Sequence, residues 1–237
     1  MSLVLVTGAS TGLGLATASA LLDDGHDVVL HARSAERVED PGVLERVHGT
    51  AYADLSDLDA TIALAEELDH FGRFDAVVHN AGTMDRSLAT QVNVVAPYVL
   101  SVLMRPPARS VVLSSGMHLS GSTDLARGGS YSDTKLWVTT LVMAWAGQRT
   151  GQRPDTLWHA VDPGWVPTRM GGAGAPDDLV EGHRTQVWLA TAPEGDIDPP
   201  TGGYWHHHAT RAPHRSTLDP QFQQTVLDHL AERTGVR

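Results

Sequence analysis

Tyr131 and Lys135 lie four residues apart in the segment Ser-Tyr-Ser-Asp-Thr-Lys that spans positions 130 to 135. On a helix, this spacing places the two side chains one turn apart on the same face. An ammonium group beside a phenol favours the phenolate, so we expect Lys135 to lower the pKa of Tyr131 from its ordinary value near ~10. A lowered pKa would let the phenol act as a general acid or base near neutral pH. Taken alone, the pair also fits a surface helix that carries one aromatic residue.

A glycine-rich segment, Thr-Gly-Ala-Ser-Thr-Gly-Leu-Gly at positions 7 to 14, follows the first predicted strand and opens a helical pattern. Gly8 permits a tight turn, Gly12 lets the backbone approach a pyrophosphate, and Gly14 allows close packing of helix on sheet. The helix N-terminus adds free N–H groups and the positive end of the helix dipole. Its position between a strand and a helix predicts dinucleotide binding rather than a merely structural turn.

The second predicted strand ends in His-Ala-Arg-Ser at positions 31 to 34. This segment lacks the acidic residue that would bind the 2′-hydroxyl of an adenosine ribose. The guanidinium of Arg33 instead offers a fork of donors that suits a phosphate. We therefore expect NADP rather than NAD. Two observations weigh the other way: position 11 is Thr rather than a second basic residue, and Arg33 also fits an ordinary arginine at a strand end.

Short apolar, β-branched runs alternate with helical patterns along the chain, which predicts a parallel sheet covered by helices on both faces. The sequence has no internal repeat and no low-complexity linker. We therefore expect one domain over residues 1–237, with a cofactor half of about 1–110 and a catalytic and substrate half of about 110–237. The predicted strands are Leu3–Thr7, Asp27–Ala32, Thr50–Ala53, Asp75–His79, Ser110–Ser114, Thr156–Val161 and Gly203–His206. The predicted helices are Leu13–Asp23, Leu58–Phe71, Tyr131–Gln148, Asp178–Ala192 and Pro220–Arg233.

Composition excludes several classes of protein. With 237 residues, of which 41% are hydrophobic, the chain is long enough for one well-buried core. A net charge of −11 argues against a nucleic-acid partner. The sequence has no apolar run long enough to span a membrane and no secretory pattern at its start. It also contains no cysteine for disulfides or thiolate metal sites. We therefore expect a cytoplasmic protein.

Taken in order, the motifs resemble the short-chain dehydrogenase/reductase family. They are the segment at 7–14, Asn-Ala-Gly at 80–82, Ser115, the Tyr131/Lys135 pair and Pro-Gly-Trp-Val-Pro-Thr at 163–168. The resemblance covers essentially the whole chain. It implies a single α/β domain of the Rossmann type, doubly wound, with about seven parallel strands and helices on both faces. It also implies hydride transfer with NAD(P).

The resemblance assigns catalytic roles as well. Tyr131 would be the general acid/base, and Lys135 would lower its pKa and bind the nicotinamide ribose. Ser115 would hold and polarise the substrate oxygen. Negative charge builds on this oxygen during hydride transfer, and two donors directed at it, Ser115 and Tyr131, would lower the barrier. Asn93 would anchor a water that connects Lys135 to solvent, although a capping or turn amide also fits it. Ser114 competes with Ser115, because strand alternation places the two on opposite faces.

Further positions match the family's cofactor contacts. Asp54 and Leu55 match the position beside the adenine ring, and the segment at 163–168 matches the one that embraces the nicotinamide carboxamide. The residues expected at the cofactor are Gly8, Ser10, Thr11, Gly12, Leu13, Gly14, Arg33, Ser34, Asp54, Leu55, Asn80, Ala81, Gly82, Tyr131, Lys135, Pro163, Gly164, Val166 and Thr168.

The chain departs from the family pattern between Asn80 and Ser115. Asn93 follows Asn80 by only 13 positions, and Ser115 follows Asn93 by 22. The shortened regions usually wall the pocket and contribute to dimer packing. We therefore expect an active site that is more open on one side, and a possible homo-oligomer whose interface is uncertain.

The segment Met-His-Leu-Ser-Gly at 117–121 resembles the retinol-dehydrogenase-like and ketoreductase-like branch of the family. The glycine-rich segment Trp165–Ala175 would form a lid over the substrate. Met117, Leu119, Trp165 and Met170 suggest a partly apolar pocket, and core packing is an equally good account of each.

Three consecutive histidines at 206–208 invite a metal interpretation. In an extended run they would alternate faces and could not all converge on one ion. We therefore expect no metal and a structural or edge-strand role.

Three functions are compatible with these motifs. The first is an NADP-dependent oxidoreductase that interconverts an alcohol with a ketone or aldehyde, acting on a small molecule. The second, an epimerase or dehydratase, uses the same tyrosine and lysine but generally has a sizeable C-terminal substrate domain. The third is a non-catalytic nucleotide sensor or scaffold, a class that usually loses the tyrosine or the lysine. The motifs favour the first.

Overall fold

The computed structural model describes residues 1–127, 129–147 and 156–237. Its strands are β1 Leu3–Val6, β2 Asp27–Ala32, β3 Gly49–Tyr52, β4 Ala76–His79, β5 Arg109–Leu113, β6 Leu157–Asp162, β7 Gly203–His206 and β8 Ala209–Thr210. Its helices are α1 Gly12–Asp23, α2 Pro41–Leu44, α3 Leu58–Asp69, α4 Ala96–Leu103, α5 Tyr131–Gly147, α6 Leu179–Thr191 and α7 Pro220–Thr234.

Within the described residues the strands form one eight-stranded sheet in the order β3-β2-β1-β4-β5-β6-β7-β8. The first seven strands are parallel, and β8 pairs antiparallel with β7. The strand order reverses between β1 and β4, which opens a crevice at the carboxyl ends of these strands. The predicted doubly wound α/β fold with about seven parallel strands is confirmed. The two-residue β8 is too short to leave a pattern in the sequence.

Side-chain alternation along the buried strands divides the core between the two faces of the sheet. In β1, Val4 and Val6 pack on the side of α1 and α6, whereas Leu5 packs on the side of α3 and α4. All three residues are fully buried. A strand covered on both faces is apolar along its whole length, which is why continuous apolar runs, rather than alternating ones, mark these strands.

Each of the twelve predicted elements has a counterpart whose ends differ by no more than two residues. Gln148, the predicted end of one helix, lies outside the described residues. Asp57, Asp178 and Asp219 begin α3, α6 and α7, because each carboxylate accepts backbone N–H groups of the first turn. No helix in the described ranges combines the length and apolar character needed to cross a membrane.

Helix α7 covers α5 within the same chain. Phe222, Val226 and Leu230 of α7 pack against the apolar side chains of α5. The Tyr98 hydroxyl donates a 2.9 Å hydrogen bond to the carbonyl of Val236 just beyond α7. As a result, every residue of α5 from Thr134 to Ala144 is buried, and the helix that carries the Tyr131/Lys135 pair is firmly held.

Three histidines in the sheet are buried: His31 in β2, His79 in β4 and His159 in β6. Burial lowers the pKa of each to about 4, because the imidazolium loses its hydration. In the unfolded chain these groups titrate near ~6.5. Between these pH values the unfolded chain binds more protons than the folded one. The stability they contribute is therefore complete above pH ~6.5 and is lost as the pH falls toward about 4.

We therefore expect the free energy of unfolding to decrease below pH ~6.5, by ~1.4 kcal/mol per pH unit for each of the three histidines. Urea unfolding at several pH values between about 7.5 and 5 measures this slope. Replacing the exposed His70 by glutamine should leave the slope unchanged. A free energy of unfolding that stays constant between pH ~6.5 and ~5 would contradict the prediction.

Candidate active site

A cavity of about 1040 Å³ lies at the carboxyl ends of the central strands. One end is formed by the β1–α1 loop and by Arg33, which follows β2 directly. The other end is formed by Ser115, Tyr131 and Trp165. The crevice predicted from the strand order thus joins the glycine-rich loop to the Tyr131/Lys135 pair.

Close packing explains two glycines of the β1–α1 loop. Gly8 has φ +64°, and a Cβ there would lie 2.8 Å from Cα of Ala81. A Cβ on Gly14 would lie 2.5 Å from the carbonyl oxygen of Gly8. The Thr7 hydroxyl accepts the N–H groups of Asn80 and Ala81, each at 3.1 Å. The segment after β4 therefore holds the loop in place, and the N-terminus of α1 faces the cavity.

His31 supports the same loop from β2. Its Nδ1 accepts the Gly8 N–H at 3.1 Å, so the neutral ring carries its proton on Nε2, which donates to the Ala53 carbonyl at 3.2 Å. Sequence reasoning missed this role, although a histidine inside an apolar strand was a signal for it.

Two arginines border the cavity near the end of β2. Arg33 was predicted there, and Arg37 joins it through a short 3₁₀ turn. The pKa of Asp54, also on the wall, is lowered mainly by hydrogen bonds from Ser56 and further by the charges of both arginines. Arg37 was missed because the turn that brings it back to Arg33 leaves no periodic pattern.

Lys135 is 3% exposed, and its Nζ donates a 2.6 Å hydrogen bond to the carbonyl of Leu113 at the end of β5. Nζ lies 5.5 Å from the centre of the Tyr131 ring. Burial lowers the pKa of Lys135 to about 8, and the negative charge of Asp162 partly offsets this. The predicted neighbourhood of the two side chains is present, and the ammonium is directed at a backbone carbonyl.

Burial raises the pKa of Tyr131 to about 12. The Ser115 hydroxyl opposes this rise, and the charge of Asp162 adds to it. The predicted lowering of this pKa by Lys135 is therefore wrong for this structure. Removing the phenolate from water outweighs the hydrogen bond from Ser115, and the Lys135 ammonium is directed at Leu113 instead.

Ser115 and Ser114 both line the cavity and differ in their hydrogen-bond partners. Ser115 lies on the cavity wall, where its hydroxyl accepts the Met117 N–H at 3.2 Å. The Ser114 hydroxyl lies 2.6 Å from the Thr139 hydroxyl of α5, and its residue is 2% exposed. Ser114 is thus engaged with the helix, whereas Ser115 retains a hydroxyl proton for a ligand.

Asn93 lies beneath the cavity in a single turn of π-helix before α4, a feature often found at functional sites. Its amide oxygen accepts the Thr83 N–H at 2.8 Å, and its amide nitrogen donates to the Thr83 carbonyl and the Thr134 hydroxyl. A Cβ on Gly82 would lie 3.4 Å from the Asn93 oxygen and 3.8 Å from Lys135 Nζ. Asn93 therefore holds the loop beside the lysine without lining the cavity.

The mouth of the cavity is apolar. Met117 and Trp165 line it and are 47% and 58% exposed, and Met84 and Leu88 after β4 add to it. Met170 also lines the cavity, whereas Leu119 is exposed outside it. In the predicted lid, the Trp165 indole N–H donates to Gly171 at 2.8 Å.

Almost all predicted site residues line the same cavity. Those on its wall are Gly8, Ser10, Thr11, Gly12, Leu13, Gly14, Arg33, Asp54, Leu55, Asn80, Ala81, Gly82, Ser115, Tyr131, Lys135, Pro163, Gly164, Val166 and Thr168. Ser34 does not line it, because its hydroxyl turns to the Glu36 carboxylate and lowers the pKa of that group. Residues that sequence reasoning missed there include His31, Arg37, Asp162, Asp177 and His206.

The three histidines do not form one extended run. His206 ends β7 and lines the cavity, whereas His207 and His208, with φ of 48° and 61°, form the turn to β8. The rings of His206 and His207 stack at 3.9 Å. His206 thus ends a strand and also lines the cavity, and the expected structural or edge-strand role stays a prediction. In the part of the chain that the structure describes, no group of three or more His, Asp or Glu side chains is placed to hold a metal.

The doubly wound fold, the glycine-rich loop and the Ser115, Tyr131 and Lys135 side chains define a nucleotide-dependent dehydrogenase or reductase. Residues 2–178 match the family model described as short chain dehydrogenase. This match covers well over half of the chain, and the protein therefore belongs to the short-chain dehydrogenase family. The predicted family is confirmed.

Two fungal relatives match along their whole length. The chain is 35% identical to short-chain dehydrogenase chry4 of Gibberella zeae over 100% of this chain and 98% of that protein. It is also 35% identical to short-chain dehydrogenase chyC of Penicillium rubens over 100% and 99%. Among solved structures, the NADPH-bound carbonyl reductase from chicken fatty liver superposes with a TM-score of 0.73, at 19% identity, over 90% of this chain and 99% of that one. At that identity the superposition shows the fold alone.

Proposed function

We propose that this protein is an NADP-dependent oxidoreductase that interconverts an alcohol and a ketone or aldehyde. The observation that carries the proposal is one continuous cavity, with a phosphate-binding loop at one end and Ser115 beside Tyr131 at the other. In this proposal the cofactor half is about 1–110 and the catalytic half about 110–237.

The residues around the cavity fit a dinucleotide. The loop at Gly8 and Gly14 has no room for a Cβ, and the N-terminus of α1 offers N–H groups to a pyrophosphate. Arg33 and Arg37 supply positive charge where a 2′-phosphate would lie, which favours NADP over NAD. The NADPH in the chicken carbonyl reductase supports the same preference. When bound, the cofactor supplies or accepts the hydride.

Tyr131 would act first as an acid. With a pKa of about 12 it is protonated at neutral pH and can donate to a carbonyl oxygen on which negative charge is building. The Ser115 hydroxyl would donate a second hydrogen bond to the same oxygen. The charge of Asp162 disfavours the phenolate and so helps to keep Tyr131 in the protonated form that donates to a carbonyl oxygen. Lys135 and Asn93 lie where Tyr131 would regain its proton.

The apolar mouth fits a small, partly apolar carbonyl or alcohol, in line with the ketoreductase-like resemblance of the segment at 117–121. An epimerase or dehydratase that uses the same Tyr131/Lys135 pair stays the alternative enzyme function. A non-catalytic sensor or scaffold would not require Ser115, Tyr131 and Lys135 in one cavity, and this function is therefore less well supported. The cytoplasmic location and the homo-oligomer stay predictions.

A panel of ketones, aldehydes and alcohols tests the proposal, with the absorbance of the reduced nicotinamide as the readout. We expect NADPH-dependent turnover of apolar carbonyl compounds. Tight binding of NADPH without turnover of any member would favour the sensor.

A pair of serine variants tests the assignment of the substrate-holding hydroxyl. Ser115→Ala should lower kcat by ~10²–10³-fold, because one of the two donors to the developing oxyanion is lost. Ser114→Ala should instead cost ~1 kcal/mol of stability through its bond to Thr139, with kcat nearly unchanged. Steady-state kinetics and urea unfolding of both variants measure this. The reverse pattern would transfer the role to Ser114.

A further inference from the structure

We propose that Asp162 and His206 form a polar subsite beside Tyr131 that binds a hydroxyl group next to the reacting carbonyl. The preferred substrates are then neutral α-hydroxy ketones or aldehydes, with the corresponding 1,2-diols as products. This inference rests on the proposed function and names the substrate class of the same site.

The Asp162 carboxylate ends β6 within the cavity wall, and its side chain is 16% exposed. Its Oδ1 accepts the Gly164 N–H at 3.1 Å. A Cβ on Gly116 would lie 3.1 Å from Oδ2, and Oδ2 is thus adjacent to the residue that follows Ser115. A hydroxyl group of a ligand in the cavity would donate a hydrogen bond to this charged acceptor.

His206 borders the same carboxylate from β7. Its Nδ1 lies 3.1 Å from the Asp162 carbonyl oxygen and 3.6 Å from Oδ2. The proton on Nδ1 is thus directed to the backbone. Nε2 of the neutral ring remains an acceptor, and the imidazole lines the cavity. A carboxylate and an imidazole side by side select a ligand group that donates hydrogen bonds.

Tyr204 provides an independent observation. Its side chain is 5% exposed, and its buried hydroxyl has no hydrogen-bond partner among the described residues. The hydroxyl lies beside the side chains of Asp162 and Ser114, and burial and the Asp162 charge raise its pKa. Tyr204 is not on the cavity wall, and it would therefore act on a ligand only through its contact with Asp162.

The subsite lies close to the reacting position. Asp162 shares the cavity wall with Ser115 and Tyr131, and its Oδ2 lies 3.1 Å from the position of a Cβ on Gly116, the residue after Ser115. Its charge adds to the raised pKa of Tyr131 and partly offsets the lowered pKa of Lys135. The oxygen that Ser115 and Tyr131 would hold therefore lies near the carboxylate. A hydroxyl on the carbon next to the reacting carbonyl would therefore reach the Asp162 carboxylate.

The negative charge of the cavity wall further restricts the class of substrate. Asp177 also lines the substrate end of the cavity, where its carboxylate accepts the Trp165 N–H at 2.6 Å. Two carboxylates beside an apolar mouth repel an anionic ligand. An α-keto acid should therefore be rejected, whereas a neutral α-hydroxy ketone is accepted.

The test compares ligands that differ by one hydroxyl. Isothermal titration of the protein with NADPH present measures the Kd of 1-phenyl-1,2-ethanediol and of 1-phenylethanol, neither of which is oxidised by NADPH. We expect the diol to bind ~10- to 100-fold more tightly, because its second hydroxyl bonds to a charged acceptor. Asp162→Asn should remove most of this preference while the Kd of 1-phenylethanol and of NADPH stays near wild type. Asp23→Asn, a surface carboxylate paired with Arg46, is the matched control.

Turnover provides the second measurement. We expect kcat/KM to be higher for the α-hydroxy ketone 2-hydroxyacetophenone than for acetophenone by a similar factor. Phenylglyoxylate should be the poorest substrate of the three, and Tyr204→Phe should reduce the first ratio. Equal Kd values for the diol and the alcohol, or binding of neither, would overturn the subsite. A Kd preference that Asp162→Asn leaves intact would also overturn it. A diol preference without any carbonyl turnover would retain the subsite and refute the proposed function.

Discussion

Replacing Tyr131 by phenylalanine should lower kcat by ~10²–10⁴-fold, the range expected when a general acid is removed. The phenyl ring keeps the packing of the first turn of α5, so the fold and the cofactor loop should be unaffected. Lys135 keeps its bond to Leu113, and the Kd of NADPH should change by no more than about two-fold. Steady-state kinetics and fluorescence titration of NADPH measure the two quantities separately.

Tyr98→Phe is the matched control. Its hydroxyl bonds to the Val236 carbonyl, far from the cavity wall, and its removal should cost ~1 kcal/mol of stability and leave kcat unchanged. Turnover of Tyr131→Phe at the wild-type rate would refute the proposed mechanism. Loss of NADPH binding in that variant would instead assign Tyr131 a mainly structural role.

Replacing Arg33 by alanine should weaken NADPH by ~10- to 100-fold, since bonds between a charged donor and a phosphate are each worth ~1.5–3 kcal/mol. NADH lacks that phosphate, so its Kd should change little. Comparing the two Kd values in the same variant separates phosphate recognition from a general loss of the site. Arg37→Ala should show the same selectivity to a smaller degree, because Arg37 reaches the cavity through a short turn.

Arg46→Ala provides the control for this pair. Arg46 is an exposed arginine in the same half of the chain, paired with Asp23 and outside the cavity wall. Its loss should leave both Kd values unchanged. Equal weakening of NADPH and NADH by Arg33→Ala would remove the phosphate assignment and leave the preference between NADP and NAD open.

The sequence was sufficient where local rules govern structure. Strands buried on both faces are continuously apolar, and helices show a 3.6-residue period, so the twelve elements were placed within two residues. Gly8 and Gly14 could be predicted because a backbone that approaches another chain segment excludes a Cβ, and such positions admit few alternatives. The spacing of Tyr131 and Lys135 was likewise local, since one helix carries both.

The pKa values of Tyr131 and Lys135, in contrast, depended on the tertiary structure. The pKa of Tyr131 is raised despite the nearby Lys135. The Lys135 ammonium donates to the Leu113 carbonyl at the end of β5, and the surrounding elements remove the phenol from water. Spacing along a helix says nothing about burial by other elements. Ser34 lies off the cavity wall for a local reason, because its hydroxyl turns to the carboxylate of Glu36.

By itself, then, the sequence determined the family, the order of the elements and which loops line the cavity, because these depend on periodicity and on short motifs. Only the tertiary structure brought His31 under the glycine-rich loop, Arg37 beside Arg33, and Asp162 with His206 beside Tyr131. These residues come from different strands and turns. They lie close together because the carboxyl ends of the parallel strands share one edge of the sheet. No local pattern encodes that convergence, and the proposed substrate preference depends on it.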